Sequence, residues 1–175
     1  MRASDEESYR EFVTAQWSPL GRLAYLLVGD TGHAEDLVQI VFTKVWFVWG
    51  RIRDQAPEAY ARRVLTNTAT SWWRRRWHSE RPTSELPDRV ALPDLAADVA
   101  MTQSLAAALR SLPARQRTAV VLRFAEDLSE AQVAGVMNCS VGNVKSLTSR
   151  GLARLRECGV VEPSTAGELT NGVAS

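Results

Sequence analysis

The chain is poor in the residues that build cross-links and metal sites. It has 2 cysteines and 2 histidines among its 175 residues. Cys139 and Cys158 stand far from His33 and His78 in sequence, which disfavours a zinc site. The cysteines also fall in different predicted elements, a turn and a helix end, which disfavours a structural disulfide. We therefore predict a reduced, cytoplasmic protein with no metal or other cofactor.

Long apolar runs are absent too. No stretch of the sequence approaches the roughly 20 apolar residues that a membrane-spanning helix needs. The first 12 residues are acidic and polar, unlike a secretory signal. No nucleophile–base set of the kind that enzymes use can be found. The sequence therefore predicts neither membrane insertion nor enzymatic activity.

Charge is segregated along the chain, although the net charge is only +1. Residues 51–82 carry eight basic and three acidic side chains, and residues 111–158 carry seven and four. The three segments between and around them are net acidic. We therefore expect two separate basic surfaces, each suited to a polyanion such as a nucleic acid.

The apolar residues follow helical periodicity, and no segment alternates as a strand would. Pro19 is expected to kink or break the first helix. Gly50 is expected to end the second helix, and Glu35 and Asp36 to lie in its first turn. The predicted helices before the last pair cover residues 6–28, 33–48, 57–77, 101–112 and 113–126.

Proline, serine, threonine and aspartate are concentrated in residues 79–98, which predicts a flexible linker. Residues 159–175 have a composition typical of a disordered tail. The predicted fold class is all-α, with two small helical domains at 1–78 and 99–158 joined by this linker.

Residues 128–156 have the pattern of a helix-turn-helix. Ser129 and Ser140 are predicted to cap its two helices, and Asn138 lies at the corner, where a positive φ is usual. The apolar stripe of the second helix is predicted to be Val141, Val144, Leu147, Leu152 and Leu155. Its polar set is Asn143, Lys145, Ser146, Thr148, Ser149 and Arg150. Side chains in the first turns of such a helix can reach base edges, and lysine and arginine neutralise phosphates. A helical hairpin with a solvated polar face is the alternative interpretation.

Residues 60–77 combine arginine with tryptophan. Arg62 and Arg63 share one helical turn, and Asn67 follows one turn later. Arginine attracts phosphate, and an aromatic face stacks an unpaired base for about 1–3 kcal/mol. This helix could therefore hold separated DNA strands. At least one of its tryptophans is expected to be a core residue instead, and the arginines also suit a solvated helix end.

Four segments in this order resemble the extracytoplasmic-function sigma factors of the sigma-70 family, in particular an actinobacterial group whose members begin with a motif similar to Tyr9-Arg-Glu-Phe12. The resemblance covers residues 8–158. The first segment is Leu26-Leu27-Val28-Gly29-Asp30 with Ala34-Glu35-Asp36-Leu37-Val38-Gln39. The second is Ala59-Tyr60 with Val64-Leu65-Thr66-Asn67 and Arg74-Arg75-Arg76. The third is Leu112-Pro113-Ala114-Arg115-Gln116-Arg117 with Val120-Val121-Leu122-Arg123-Phe124. The fourth is Ser140 to Ser146 with Ser149-Arg150 and Leu155-Arg156.

The resemblance implies a promoter-specificity subunit that binds core RNA polymerase, through its β′ and β subunits, and promoter DNA. An anti-sigma factor is left open as a further partner. The implied polymerase-binding residues are Glu35, Asp36, Leu37, Gln39 and Phe42. The implied −10 residues are Arg51, Arg53, Arg62, Arg63, Asn67, Trp73, Arg74 and Arg75, with a flipped base captured by the loop of residues 51–57. The implied −35 residues are Ser140, Asn143, Lys145, Ser146, Ser149 and Arg150.

The sequence departs from the family pattern at several positions. Ile40 follows Gln39 where an acidic residue is usual, so it either packs inward or makes the polymerase-binding surface more apolar. Asn143 and Leu147 replace the usual Thr and Arg, which changes the expected DNA preference. Gly151 replaces a common Ala, which is expected to weaken its helix by up to ~1 kcal/mol.

Two other functions fit parts of the sequence. A stand-alone helix-turn-helix regulator would use the C-terminal half as a DNA-binding dimer, but it would need neither the segment around Gln39 nor the Trp-Arg helix. An interaction module with vestigial DNA contacts, which titrates a partner, would fit the changes at Asn143 and Leu147.

Overall fold

A computed structural model describes residues 3–78 and 99–159, and within these ranges the regular elements are all helices. The all-α prediction is confirmed. The predicted linker and nearly all of the predicted tail lie outside the described residues. The seven helices are α1 (Ala3–Val28), α2 (Thr31–Ile52), α3 (Pro57–His78), α4 (Val99–Arg110), α5 (Ala114–Phe124), α6 (Glu130–Met137) and α7 (Val141–Glu157).

Helix α1 is continuous through Pro19, so of the predicted kink or break the break is wrong. Proline removes one N–H donor, which here would have bonded the carbonyl of Ala15. Phe12 before the proline and Leu20 and Leu23 after it are all buried in the core. This packing on both sides of Pro19 holds the two halves in one helix despite the lost hydrogen bond.

The corner between α1 and α2 is built by Gly29 and Asp30. Gly29 has a φ of +72° and its N–H bonds the carbonyl of Tyr25 at 2.7 Å, which ends α1. Asp30 then caps α2, because its carboxylate accepts from the backbone N–H of His33 at 2.8 Å. Helix α2 therefore begins at Thr31, before the predicted start, and the acidic residues expected in its first turn lie one turn later.

Helix α2 continues past Gly50 to Ile52, so the predicted end is wrong. The N–H of Arg53 still bonds the carbonyl of Trp49 at 3.0 Å. A glycine inside a helix costs about 1 kcal/mol relative to alanine. That cost is too small to end a helix whose neighbouring turns are packed against α1.

Aromatic side chains link α1 and α2 through hydrogen bonds and ring contacts. The Tyr9 hydroxyl donates to the carbonyl of Phe42 at 2.7 Å, and the Trp49 indole donates to the Ser8 hydroxyl at 3.1 Å. The rings of Phe12 and Trp49 lie 5.0 Å apart. Burial raises the pKa of Tyr9, so its hydroxyl stays a donor at neutral pH.

The helix-turn-helix forms as predicted at α6 and α7. Ser129 and Gln132 make a reciprocal capping box at the start of α6. Asn138 has a φ of +49° at the corner, and Ser140 caps α7 by accepting from the N–H of Asn143 at 3.2 Å. These caps confirm three predictions from the sequence.

The buried stripe of α7 consists of Val144, Leu147, Gly151 and Leu155. Val141 was predicted to join it, but this residue is 39% exposed. It is the first residue of α7. At Gly151, an added Cβ would lie 2.7 Å from a methyl carbon of Val120, so α5 and α7 approach closely only because this residue is glycine.

The two helical units, α1–α3 and α4–α7, pack directly against each other. Helix α1 contacts α4 and α5, while α3 contacts α5 and α6. Buried residues from both units form one hydrophobic cluster. The sequence predicts two units but does not predict this contact between them.

Candidate nucleic-acid interface

The DNA-binding residues predicted on α3 do not all face the same way. Arg63 and Asn67 are exposed and lie one helical turn apart. Arg62 is half-buried, and its Nε donates to the Glu126 carboxylate of the other unit at 2.6 Å. In this conformation Arg63 and Asn67 are open to a ligand, whereas Arg62 already has a partner.

Two more predicted DNA-binding arginines lie at the end of α2, Arg51 in its last turn and Arg53 at the start of the loop to α3. Arg51 is exposed, while Arg53 pairs with Asp5 and, at 3.2 Å, with Asp54. A cavity of about 480 Å³ opens beside this loop. Its lining includes Phe12, Trp49, Arg53, Asp54 and Glu58, which offer apolar walls and hydrogen-bond acceptors together.

Trp73, Arg74 and Arg75 lie on the last turns of α3. Their side chains are outside the part of the chain that the structure describes. The predicted stacking of a base on this segment remains a prediction.

The predicted −35 residues form a continuous polar surface on α7, opposite the buried stripe. Lys145, Ser146, Ser149 and Arg150 are all exposed. The Arg150 guanidinium donates to the Ser146 hydroxyl at 2.9 Å, which orients both side chains. Two contacts are internal, because Ser140 caps the helix that it begins and Lys145 lies 3.6 Å from Glu130. Asn143 is half-buried beside this surface.

Leu147 is 7% exposed and belongs to the core of the C-terminal unit. It therefore replaces the arginine usual in the family with a packing residue, on the side of α7 away from the polar surface. Leucine at this position lacks the charge with which an arginine would contact DNA. Its side chain also packs in the core and supports the helix, so a lost DNA contact is only part of its role.

The predicted polymerase-binding residues divide between core and surface. Leu37 and Phe42 are buried, and Phe42 stacks on Trp17 with ring centroids 5.8 Å apart. The polar members, Glu35, Asp36 and Gln39, are partly or fully exposed. Two apolar side chains extend this surface, Ile40 at 42% and Phe47 at 81% exposure. Phe47 was missed from the sequence because nothing in its apolar neighbourhood marks it as outward-facing.

Reasoning from the sequence also missed the residues that join the two units. Arg117 is 3% exposed; its guanidinium donates to the carbonyls of Leu27 at 2.7 Å and Leu112 at 3.0 Å. Burial, and then the charge of Arg110, lower the pKa of Arg117 to about 10, so it remains charged at neutral pH. A charged residue on the apolar side of α5, one turn before Val120 and Val121, was the available signal.

Within the described residues, no group of three or more histidine, cysteine or acidic side chains is placed to hold a metal ion. Helices in the same part of the chain are either too short or too polar to cross a membrane.

Two family models match the chain, one for each helical unit. The model for sigma-70 region 2 matches residues 17–79, and the model for sigma-70 region 4 matches residues 102–155. The first match contains the predicted polymerase-binding and −10 residues, and the second contains the helix-turn-helix.

Several similar proteins are RNA polymerase sigma factors. The RNA polymerase sigma-E factor of Streptomyces avermitilis is 39% identical over 150 residues, which cover 85% of this chain and 83% of that protein. The ECF RNA polymerase sigma factor SigE of Mycolicibacterium smegmatis is 33% identical over 86% of this chain and 61% of that protein. The sigma factor RpoE of Bartonella quintana, solved in complex with the anti-sigma factor NepR, has a TM-score of 0.67 and 26% identity over 88% of this chain and 98% of its own.

Proposed function

Because the chain belongs to the extracytoplasmic-function sigma factors of the sigma-70 family, we propose specific roles for its surfaces in transcription initiation. The protein is an RNA polymerase sigma factor, and the polymerase does the chemistry. The observation that carries the residue assignments is that each family region presents its own exposed basic and polar surface. The match to region 2 also disfavours a stand-alone regulator, which would have no use for it.

The proposed −35 reader is the polar surface of α7. In a helix-turn-helix the second helix enters the major groove, where serine, asparagine and arginine side chains reach base edges. Lys145 and Arg150 are placed to neutralise phosphates, and Ser146, Ser149 and Asn143 to contact bases. The caps at both ends of the corner fix the angle at which this surface meets DNA.

The proposed −10 reader comprises α3 and the loop before it. Arg63 and Asn67 would hold the non-template strand along α3, with Arg51 and the arginines near the end of α3 adding phosphate contacts. Arg62 would join them once its bond to Glu126 is broken. Strand opening costs stacking energy, and base capture offsets part of it. The cavity beside Arg53, with the acceptors of Asp54 and Glu58, is the proposed receptor for a flipped base.

The proposed polymerase-binding surface is the exposed side of α2, with Glu35, Asp36 and Gln39. Leu37 and Phe42 support it from the core. An anti-sigma factor is a further candidate partner, because the related Bartonella sigma factor was solved with one. The domain bounds proposed from the sequence, 1–78 and 99–158, keep the −10 and −35 readers on separate units. The expected cytoplasmic location belongs to the same proposal.

Run-off transcription with purified core polymerase tests the function. We expect defined start sites on some genomic fragments only when this protein is added. If no fragment gives a defined start, while the protein alone shifts a palindromic duplex, the assignment is wrong and a dimeric regulator fits better. Sequences upstream of the start sites then define the −10 and −35 DNA for the experiments below.

A further inference from the structure

The contact between the two helical units uses a residue that the proposed −10 reader needs. The Arg62 and Glu126 side chains pair at 2.6 Å and are only 29% and 19% exposed. A phosphate and the Glu126 carboxylate cannot both occupy the same side of the Arg62 guanidinium. While this contact is made, DNA cannot bind all the proposed side chains of the α3 surface.

A second set of contacts holds the units together at the end of α1. The last turn of α1 contains no basic side chain of its own to meet its free carbonyl groups. Arg117 donates to the carbonyl of Leu27, and Arg110 donates to the carbonyl of Gly29, both at 2.7 Å. These two arginines of the C-terminal unit thus cap a helix of the N-terminal unit at its negative end.

The fit at this helix end is close. A Cβ added to Gly29 would lie 2.4 Å from Cδ of Arg110. The arginine stem therefore lies directly on the glycine backbone. Only a residue without a Cβ allows this approach. Gly29 therefore supplies both the positive φ that ends α1 and the space that the Arg110 side chain occupies.

From these contacts we infer that the free protein has a self-masked state, in which Glu126 occupies Arg62 while Arg110 and Arg117 cap α1 and hold the units closed. Opening of this interface releases Arg62 for the non-template strand. The inference rests on the proposed function of Arg62 in −10 binding, but the closed state itself does not depend on that role.

In the closed state only the proposed −10 surface on α3 is masked. Lys145, Ser146, Ser149 and Arg150 of α7 remain exposed in the closed state. Duplex −35 DNA therefore has the same access to the closed and open forms. Single-stranded −10 DNA binds the open form better, so its apparent affinity falls with the open fraction.

The first test measures the distance between the units in the full-length free protein. Spin labels are placed on the exposed Cys158 and on a cysteine introduced by Thr43→Cys, after Cys139→Ser removes the other thiol. We expect one short distance in the parent protein and a longer population in Glu126→Gln and in Arg110→Ala. Two exposed residues of the same charge in the C-terminal unit provide the controls, Glu157→Gln and Arg115→Ala, which should keep the short distance.

The second test measures binding of a single-stranded oligonucleotide that carries a mapped −10 element, with −35 duplex as the reference. Glu126→Gln is expected to raise the affinity for the single strand about threefold to fivefold, because a partly buried ion pair contributes about that factor to the closed form. Affinity for the duplex should not change.

Arg110→Ala distinguishes an effect of interface opening from an effect of the changed net charge. The loss of a positive charge alone would weaken binding of any DNA. A gain in affinity for the single strand, with unchanged duplex binding, therefore requires opening and supports the self-masked state. Thermal melting of each variant verifies that it is folded.

Three results would overturn the inference. The first is an unchanged distance in both Glu126→Gln and Arg110→Ala. The second is opening without any gain in single-strand affinity. The third is a higher single-strand affinity in Glu126→Gln alone, while the distance between the two spin labels stays short. That result would mean that removal of a negative charge explains the higher affinity. Normal run-off transcription in that case would leave the sigma-factor function intact while the closed state fails.

Discussion

The two proposed DNA-binding surfaces of this sigma factor differ in how many of their side chains are free. On α7 Lys145, Ser146, Ser149 and Arg150 are exposed, and their contacts come from within the helix-turn-helix. On α3 the neighbouring arginines are divided, with Arg63 exposed and Arg62 bound to Glu126. On the proposed roles of these surfaces, the α7 surface can meet duplex DNA in the free protein, whereas the α3 surface becomes complete only after the units separate.

The largest expected effect concerns the shared core beneath both surfaces. Leu65→Ala in the N-terminal unit and Leu155→Ala in the C-terminal unit each remove a fully buried side chain. Each should lower the free energy of unfolding by about 2–5 kcal/mol. If the units form one core, both variants shift the same unfolding transition in urea.

The tryptophans make this measurement specific, because all 6 lie in residues 17–77. Tryptophan fluorescence therefore reports on the N-terminal unit, while circular dichroism reports on all helices. Leu155→Ala should shift both signals together. A shift in circular dichroism with unchanged fluorescence would contradict the coupling and make the two surfaces independent.

The next effect concerns the α3 surface itself. Replacing Arg62 and Arg63 together by Ala should reduce open-complex formation roughly 100-fold, because two charge-assisted contacts at about 1.5 kcal/mol each are lost. Permanganate reactivity of melted thymines measures the opening. Polymerase binding, followed by gel filtration, should persist, and its loss would mean that the polymerase-binding surface is misplaced.

A smaller effect is expected where α7 packs on α5. Gly151→Ala gains helix propensity, but its methyl group would lie 2.7 Å from Val120. We expect a net loss of about 1–2 kcal/mol in stability, since overpacking typically costs 1–3 kcal/mol. Gly142→Ala on the same helix meets no atom within 4 Å and provides the control. Thermal melting that ranks Gly151→Ala as the more stable variant would refute the close approach.

The smallest effect separates capping from DNA contact at Ser140. Ser140→Ala removes the cap of α7 and should cost about 1 kcal/mol of stability, with weaker −35 binding. Ser140→Asp keeps a good cap but adds a negative charge beside the proposed phosphate contacts. Its stability should match the parent while duplex affinity falls. Equal duplex affinity in all three proteins would place Ser140 outside the interface.

Local features of the C-terminal unit were predictable because their causes are local. Ser129, Asn138 and Ser140 lie in short patterns whose hydrogen bonds close within a few residues. The predicted helix end at Gly50 and the predicted break at Pro19 were wrong for the opposite reason. Both residues are weak helix formers, and tertiary packing of α1 on α2 outweighs that preference.

The site was predictable as a list of residues but not as an arrangement. Exposure of Ser146, Ser149 and Arg150 follows from helical phase. The partner of Arg62 does not, because Glu126 is separated from it by 64 residues and no periodicity links the two. The burial of Leu147, by contrast, follows from helical phase and was predicted with the apolar stripe of α7.

Arg117 has a consequence for the order of events during synthesis. Its bond to the carbonyl of Leu27 spans 90 residues of chain. At about 5–20 residues per second, a ribosome needs roughly 5–18 s to deliver the arginine after Leu27 is made. Throughout that interval the end of α1 can bond only to water. Arg62 in turn is made 64 residues before Glu126, an interval of roughly 3–13 s at the same rate. On the proposed roles of these residues, each new molecule passes through a period of several seconds in which α3 exists before the carboxylate that masks it.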